Sequence, residues 1–366
     1  MKFNYRTIGL KRIDMYIIGK FLGTFFFSLV LILSIAVVFD MTEKMDDFFD
    51  NHAPLSEIVF DYYFSFIPFY MNMFTPLFTF IAVIFFTSKL AGDTEIIAIL
   101  ASGVSFRRLM FPYFVSATVI CAMSFVLGGY IIPKTNETML VFSNKYIKEI
   151  KRNHVANIQM AVEPGVVFYV SNYEQQNNQG ANFSLDKFDG KTLVSRLTAE
   201  RITWDSAYVW TLYNYTRRDF NGMHEVLTQG EKIDTIIAVQ PYEFFITSKE
   251  APEMNNTQLS SYLTRQKSRG VGNIQVFQDE YYKRFSMPLA AFIMTLIGVS
   301  LSSRKVRGGI GLHLGVGLGL SAIYILFVTV SSTFSASGAM SVGLAVWLPN
   351  IVFTLIGAYL YHTAPK

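Results

Sequence analysis

Cysteine, charge and nucleotide-binding loops are all scarce or missing. Of 366 residues only Cys121 is a cysteine, and it lies inside an apolar run. A disulfide framework and a cysteine-ligated metal are thereby excluded. The histidines, His52, His154, His224, His313 and His362, are scattered and make no HExxH or paired ligand spacing, which argues against metal catalysis. No GxxxxGKS/T phosphate loop and no GxSxG elbow occurs. If the protein uses ATP, another chain must bind it. Charged residues make up 16% of the sequence, against about 25% in soluble domains. A net charge of +4 is too small to imply nucleic-acid binding.

Apolar residues fill the gap. They make up 51% of the chain, and the mean hydropathy is +0.33. Six apolar runs fall at residues 16–39, 58–87, 109–132, 285–303, 309–333 and 342–361. Each can cross a bilayer, which takes roughly 20 residues. The first run has no small-residue cleavage site and reads as a retained helix, not a removed signal peptide. The second exceeds one simple crossing, so Pro68 and Pro76 are expected to kink it, with its ends outside the hydrocarbon.

Basic residues orient the spans. Lys2, Arg6, Lys11 and Arg12 precede the first, Lys89, Arg107 and Arg108 flank the second connection, and Arg304, Lys305 and Arg307 fill the one after the fourth. Residues 40–57 are acidic instead, with Lys44 against Asp40, Glu43, Asp46, Asp47, Asp50 and Glu57. Both termini are therefore expected in the cytoplasm. Residues 133–284 then lie on the opposite side and suffice for one folded domain. A polar helix at 136–152 opens it. Alternating runs follow at 157–162, 166–173, 182–189, 193–205, 209–220, 224–228 and 232–239, with turn signals such as Asp189-Gly190 and Asn221-Gly222. Such spacing predicts a β-sandwich or jelly roll.

The stretch GDTEIIAILASGVSFRRL, residues 92–109, reads as a short amphipathic cytoplasmic helix between the second and third spans. Ile96, Ile97, Leu100 and Val104 recur at helical spacing, and Asp93 and Glu95 suit the positive end of the helix dipole. It can lie on the membrane or dock a soluble partner. The absence of a nucleotide loop favours docking. In the fifth span Gly311, Gly315 and Gly319 make a smooth face, for ordinary packing or for a contact that opens and recloses against a neighbouring subunit. Aromatics crowd the first two spans, as in Phe25–Phe27; they face lipid or wall an apolar cavity. Lys44, Lys134, Lys145 and Lys148 fall near the outer surface, either solvated or meeting anionic headgroups.

Four stretches carry a resemblance: RIDMYIIGKFLGTF (12–25), KLAGDTEIIAILASGVSFRRL (89–109), YYKRFSMPLAAFIMTLIGVSLS (281–302) and GIGLHLGVGLGLSAIYIL (309–326). They resemble the lipopolysaccharide export permeases LptF and LptG (the YjgP/YjgQ family), and LptG somewhat more than LptF. The likeness covers nearly the whole chain. It implies a fold of six transmembrane helices and a periplasmic all-β jelly-roll-like domain. Residues 1–132 would carry helices one to three with the coupling helix 92–109, residues 133–284 the periplasmic domain, and residues 285–366 helices four to six. It implies a subunit of an ATP-binding-cassette transporter in the bacterial inner membrane, itself without cofactor. ATP and magnesium would belong to a cytoplasmic ATPase dimer. Other partners would be a second LptF/LptG-type permease, periplasmic bridge proteins of the LptC/LptA type, and lipopolysaccharide; no nucleic acid is involved.

In such a protein Asp93, Glu95, Ile96, Ile97, Ala101 and Gly103 would dock the ATPase, with Glu95 the charged contact. Spans one and five of opposing subunits would form lateral gates, giving Gly311, Gly315 and Gly319 their use. Characterised LptG proteins have several lysines at the outer end of the first span. Here only Lys44 matches, so the lipid carries fewer phosphates or the lysines after span three substitute. The competing reading is a non-transporting scaffold whose outer domain binds envelope partners. An intramembrane enzyme would need clustered ionisable groups within the spans, and the sequence offers little beyond Lys20.

Overall fold

The structure is a computed structural model that describes residues 11–147, 154–222, 224–246, 248–269, 274–303 and 309–364. The chain divides into two compact units, one of residues 1–148, 252–256 and 278–366, the other of 149–251 and 257–277. The helix after the third span thus packs with the membrane unit, not with the β-rich one.

Among the described residues six helices are long and apolar enough to span a membrane. We name them with a short connecting helix: α1 Arg12–Asp50, α2 Leu55–Gly92, α3 Glu95–Ala101, α4 Phe106–Tyr146, α6 Gln275–Ser302, α7 Gly309–Ala336 and α8 Val342–Thr363. The first three spans are longer than their apolar runs. At 39, 38 and 41 residues they reach roughly 57–62 Å, about twice the hydrocarbon thickness. The acidic stretch after residue 39 is therefore helix rather than loop. Glu43, Lys44 and the methionines at 41 and 45 are good helix formers that carry the helix past the apolar run, and α1 stops only at Asn51, three residues before Pro54. Helix α2 runs on through Pro68 and Pro76. Single π-helical turns sit at Ile58–Tyr63 in α2 and Leu127–Ile131 in α4.

Helix α2 forms the centre of this unit. Its Phe78, Ala82, Val83 and Phe86 pack with Ile17, Phe21 and Phe25 of α1 and with Leu109 and Tyr113 of α4. On another side its Phe80 and Ile84 meet Ile293 and Ile297 of α6, Tyr324 of α7 and Phe353 of α8. Between lipid-embedded helices apolar burial provides little drive, so close packing and buried polar contacts count for more. Thr87 donates to the Tyr113 hydroxyl (3.0 Å), Ser124 to Asn72 Oδ1 (2.6 Å) and Tyr324 to Asn350 Oδ1 (2.8 Å), while Asn350 donates to the Ser286 carbonyl (2.8 Å). Each such bond adds on the order of 0.6 kcal/mol.

The second unit holds one six-stranded antiparallel sheet in the order β1 to β6: His154–Glu163, Val166–Glu174, Gln179–Asp189, Thr192–Ser206, Val209–Asn221 and His224–Ile236. Each strand pairs with its neighbour in sequence. This is a meander, without the Greek-key crossover of a jelly roll among the described residues. The jelly-roll expectation holds only as far as an antiparallel all-β unit.

The sheet nevertheless folds along one line. Each of the five ladders lacks one pair, and the skipped residues are Asn157, Ser171, Asn182, Glu200, Asn214 and Glu231, side by side across all six strands. Asn157, Asn182 and Asn214 have left-handed φ values of +55°, +51° and +51°, a conformation in which asparagine is the best tolerated residue after glycine. Buried positions accordingly step by three across the line, from Val170 to Tyr173 and from Ala199 to Ile202, where a flat strand steps by two. One side of β1 to β5 thus stays largely apolar on both halves, whereas β6 carries no buried residue. Side chains brace the line: Asn182 donates to Ser171 Oγ (3.2 Å) and Asn214 to Glu200 Oε2 (2.7 Å). The enclosed core contains Phe168, Tyr173, Phe183, Trp210 and Phe244. Helix α5, Asn256–Ser268, is followed by Arg269, which forms a buried ion pair with Glu243.

Candidate functional site

The connection between α2 and α4 is shorter and more sharply defined than its sequence pattern. The amphipathic stretch 92–109 is not one helix. Gly92 ends α2, Thr94 takes a left-handed φ of +63°, and α3 runs for seven residues, Glu95–Ala101. Gly103, at φ +87°, stops it, its N–H bonding to the Leu100 carbonyl at 3.1 Å. Ser105 then caps α4, so Arg107 and Arg108 begin the next membrane helix instead of closing this one.

Its two adjacent isoleucines part company. Ile96 is 0% exposed and packs into the core with Ile17, Phe106 and Leu109. It cannot present its side chain to a partner; it holds the helix against the bundle. Ile97 is 48% exposed. Asp93, Glu95, Ala101 and Gly103 are exposed too, so the outward surface is a small apolar patch with carboxylates at its N-terminal edge. Glu95 lies beside the Tyr16 hydroxyl of α1.

A second tie joins α1 to this region. Asp14 is 1% exposed. Its carboxylate accepts both arms of the Arg108 guanidinium, at 2.8 and 2.6 Å, and the Lys11 N–H at 2.7 Å. The sequence flags Asp14 only as a carboxylate at the mouth of an apolar run, with nothing to name a partner 94 residues away. His313 and Ser88 were similarly hidden; their side chains meet at 2.7 Å, buried between α7 and α2.

The least covered spans are the first and the fifth. In α1 and α7 22% of the apolar stretch is buried, against 50% in α2 and 67% in α6. A Cβ added at Gly311, Gly315 or Gly319 would meet nothing within 4 Å, whereas one at Gly317 would strike Ile84 of α2. The glycine stripe therefore faces away from its own bundle, and Gly317 is the close-packing glycine. On α1, Phe25 is 0% exposed and Phe27 69%.

The lysines differ in availability. Lys44 is taken up by Asp40 (2.7 Å) and the Tyr62 hydroxyl, and Tyr62 also donates to Asp40 at 3.2 Å. Lys145 pairs with Glu57 at 3.0 Å and lies over the Tyr146 ring. Lys134 is exposed and makes no ion pair among the described residues. Lys148 lies outside the described residues. In the β unit, burial pushes the Tyr173 hydroxyl above the usual phenol range, and the Ser195 hydroxyl holds the Asp219 carboxyl below the usual carboxylate range.

A protein-family model described as lipopolysaccharide export system permease LptF/LptG matches residues 15–363. Among curated proteins none matches the chain.

Proposed function

The chain belongs to the lipopolysaccharide export system permease LptF/LptG family, and we propose that it is the permease subunit through which an ATP-binding-cassette ATPase draws lipopolysaccharide out of the inner membrane. The termini and α3 lie in the cytoplasm in this reading, and the β unit in the periplasm. The basic residues at 89, 107 and 108 and the acidic ones at 40–57 support that orientation. Helix α3 seats in a groove of the ATPase. Glu95 and Asp93 supply the charged rim, Ile97 the apolar contact, and Ala101 and Gly103 a close approach. Ile96 anchors the helix, so that force on it passes into the bundle.

A second permease of the same family completes the transmembrane cavity. Helices α1 and α7, the most exposed spans, face it and act as lateral gates, with Gly311, Gly315 and Gly319 on the reclosing surface. Extraction exposes acyl chains at a cost of about 0.8 kcal/mol per CH₂. Apolar gate faces bearing Phe27 and Val30 limit that exposure. Lys134, exposed and without an ion pair among the described residues, supplies a cation for a headgroup phosphate in this reading. The lipid then passes to the β unit, whose edge strand β6 has no outer partner among the described residues and can extend to bridge proteins of the LptC/LptA type. ATP and magnesium belong to the ATPase.

The observation that carries the proposal is an exposed Glu95–Ile97 surface on a helix pinned by Ile96. Its test is Glu95→Ala, purified with the cognate ATPase. Loss of association and transport is the expected result; undiminished association with full transport removes the docking role.

A further inference from the structure

In a permease driven from outside the membrane, some contact must make a membrane helix follow the docking helix. On the reading of α3 as the docking element, we propose that the Asp14–Arg108 ion pair is that contact, a strap that makes α1 move with the α3–α4 connection. Three observations carry it. The pair is two-pronged, 2.8 and 2.6 Å, and Asp14 is 1% exposed, with its remaining demand met by the Lys11 N–H. A planar fork on a buried carboxylate resists rotation as well as separation. Arg108 stands in the first turn of α4, three residues after the cap that ends the connection from α3. Displacement of that connection therefore reaches Arg108 before most of α4.

Asp14 stands in the first turn of α1, whose apolar stretch is the least buried of the first three spans. Two weaker links run beside the strap: Glu95 next to the Tyr16 hydroxyl, and Ile96 in the core with Ile17. Apolar contacts let helices slide, whereas the ion pair fixes direction. The pair is a positioning device, and neither member lies on the docking surface.

The test uses the full chain in complex with its ATPase and second permease, reconstituted in proteoliposomes with lipopolysaccharide. Two quantities are followed, ATP hydrolysed and lipid released. For Asp14→Asn the ATPase stays bound and hydrolysis continues, while lipid released per ATP falls roughly tenfold, within the range of site-to-site couplings. Arg108→Lys keeps the charge but loses the fork and gives an intermediate ratio; it also serves if Asp14→Asn does not fold. The exchanged pair, Asp14→Arg with Arg108→Asp, restores part of the ratio, since arginine at 14 leaves the Lys11 N–H without its acceptor. A merely structural strut would lower hydrolysis and release together and leave the ratio unchanged. That outcome, or an unchanged ratio at full activity, overturns the strap. The Glu95→Ala complex, measured in parallel, separates the two ideas. If it keeps its ATPase and its transport, the docking reading falls and takes the strap with it. If it loses the ATPase while Asp14→Asn keeps a normal ratio, the strap alone falls.

Discussion

Ile96 and Ile97 are neighbours in sequence with the same side chain, yet one is buried and the other half exposed. Ile96 is 0% exposed among Ile17, Phe106 and Leu109. Replacing it with alanine removes buried carbons and leaves a void that rigid helices fill only in part. The expected cost is on the order of 2–4 kcal/mol of stability. Ile97 is 48% exposed. Its truncation leaves the fold nearly unchanged, within about 0.5 kcal/mol, as at most surface sites. Docking, however, would cover the remaining half of its side chain. Full burial of an isoleucine is worth about 1.5–3 kcal/mol, so half contributes roughly 1 kcal/mol, or about fivefold in Kd. The assay pairs thermal unfolding of the purified chain with titration of the ATPase. Ile96→Ala lowers the unfolding midpoint. Ile97→Ala leaves the midpoint in place and weakens ATPase binding. Equal losses of stability, or a normal ATPase affinity for Ile97→Ala, would refute the division of labour.

Other substitutions probe other levels. Gly317→Leu drives a side chain into Ile84 and lowers stability, whereas Gly315→Leu extends into open space, keeps the fold and reduces cross-linking to the second permease. At the fold line Asn182→Gly is tolerated, because glycine accepts φ +51°, while Asn182→Val costs about 1–2 kcal/mol, read as faster hydrogen exchange in β2 to β4. Arg269→Met leaves the buried Glu243 carboxylate only the Gln240 N–H (3.4 Å) and the longer Arg265 contact (3.8 Å), and costs about 3 kcal/mol in chemical unfolding of the β unit, the low end for breaking a buried pair.

The spans were legible because a bilayer demands long apolar runs, and the sequence shows them without context. Their ends were not. Residues 40–50 look like a loop by charge, yet Glu43, Lys44 and Met45 suit a water-exposed helix as well as a turn. The strands could be read from alternation and turn residues, but the fold line could not. Asn157, Asn182 and Asn214 sit within strand runs, and only the three-dimensional register shows that they align. Gly103 signals a helix end by its chemistry, whereas Thr94 adopts its left-handed backbone without any such mark. The outward face of α3 was half visible. Glu95 and Ile97 face outward as expected, but Ile96 turns inward, because a seven-residue helix against a bundle must spend its best apolar residue on anchorage. Arg108, which grips Asp14, and Tyr62, which shares Lys44 with the nearby Asp40, lie 94 and 18 residues away, a separation no local pattern encodes.

In the proposed function lipid passes along the exposed face of the first span when a partner ATPase turns over. A photo-reactive residue at Phe27, which is 69% exposed, tests it in the reconstituted complex, with the same residue at Phe25, which is 0% exposed, as the internal control. Lipopolysaccharide adducts are expected at Phe27, changing on addition of ATP and vanishing with the Glu95→Ala variant, and none at Phe25. Absence of lipid adducts at Phe27 under every nucleotide condition, in a complex that retains its ATPase, would contradict that reading.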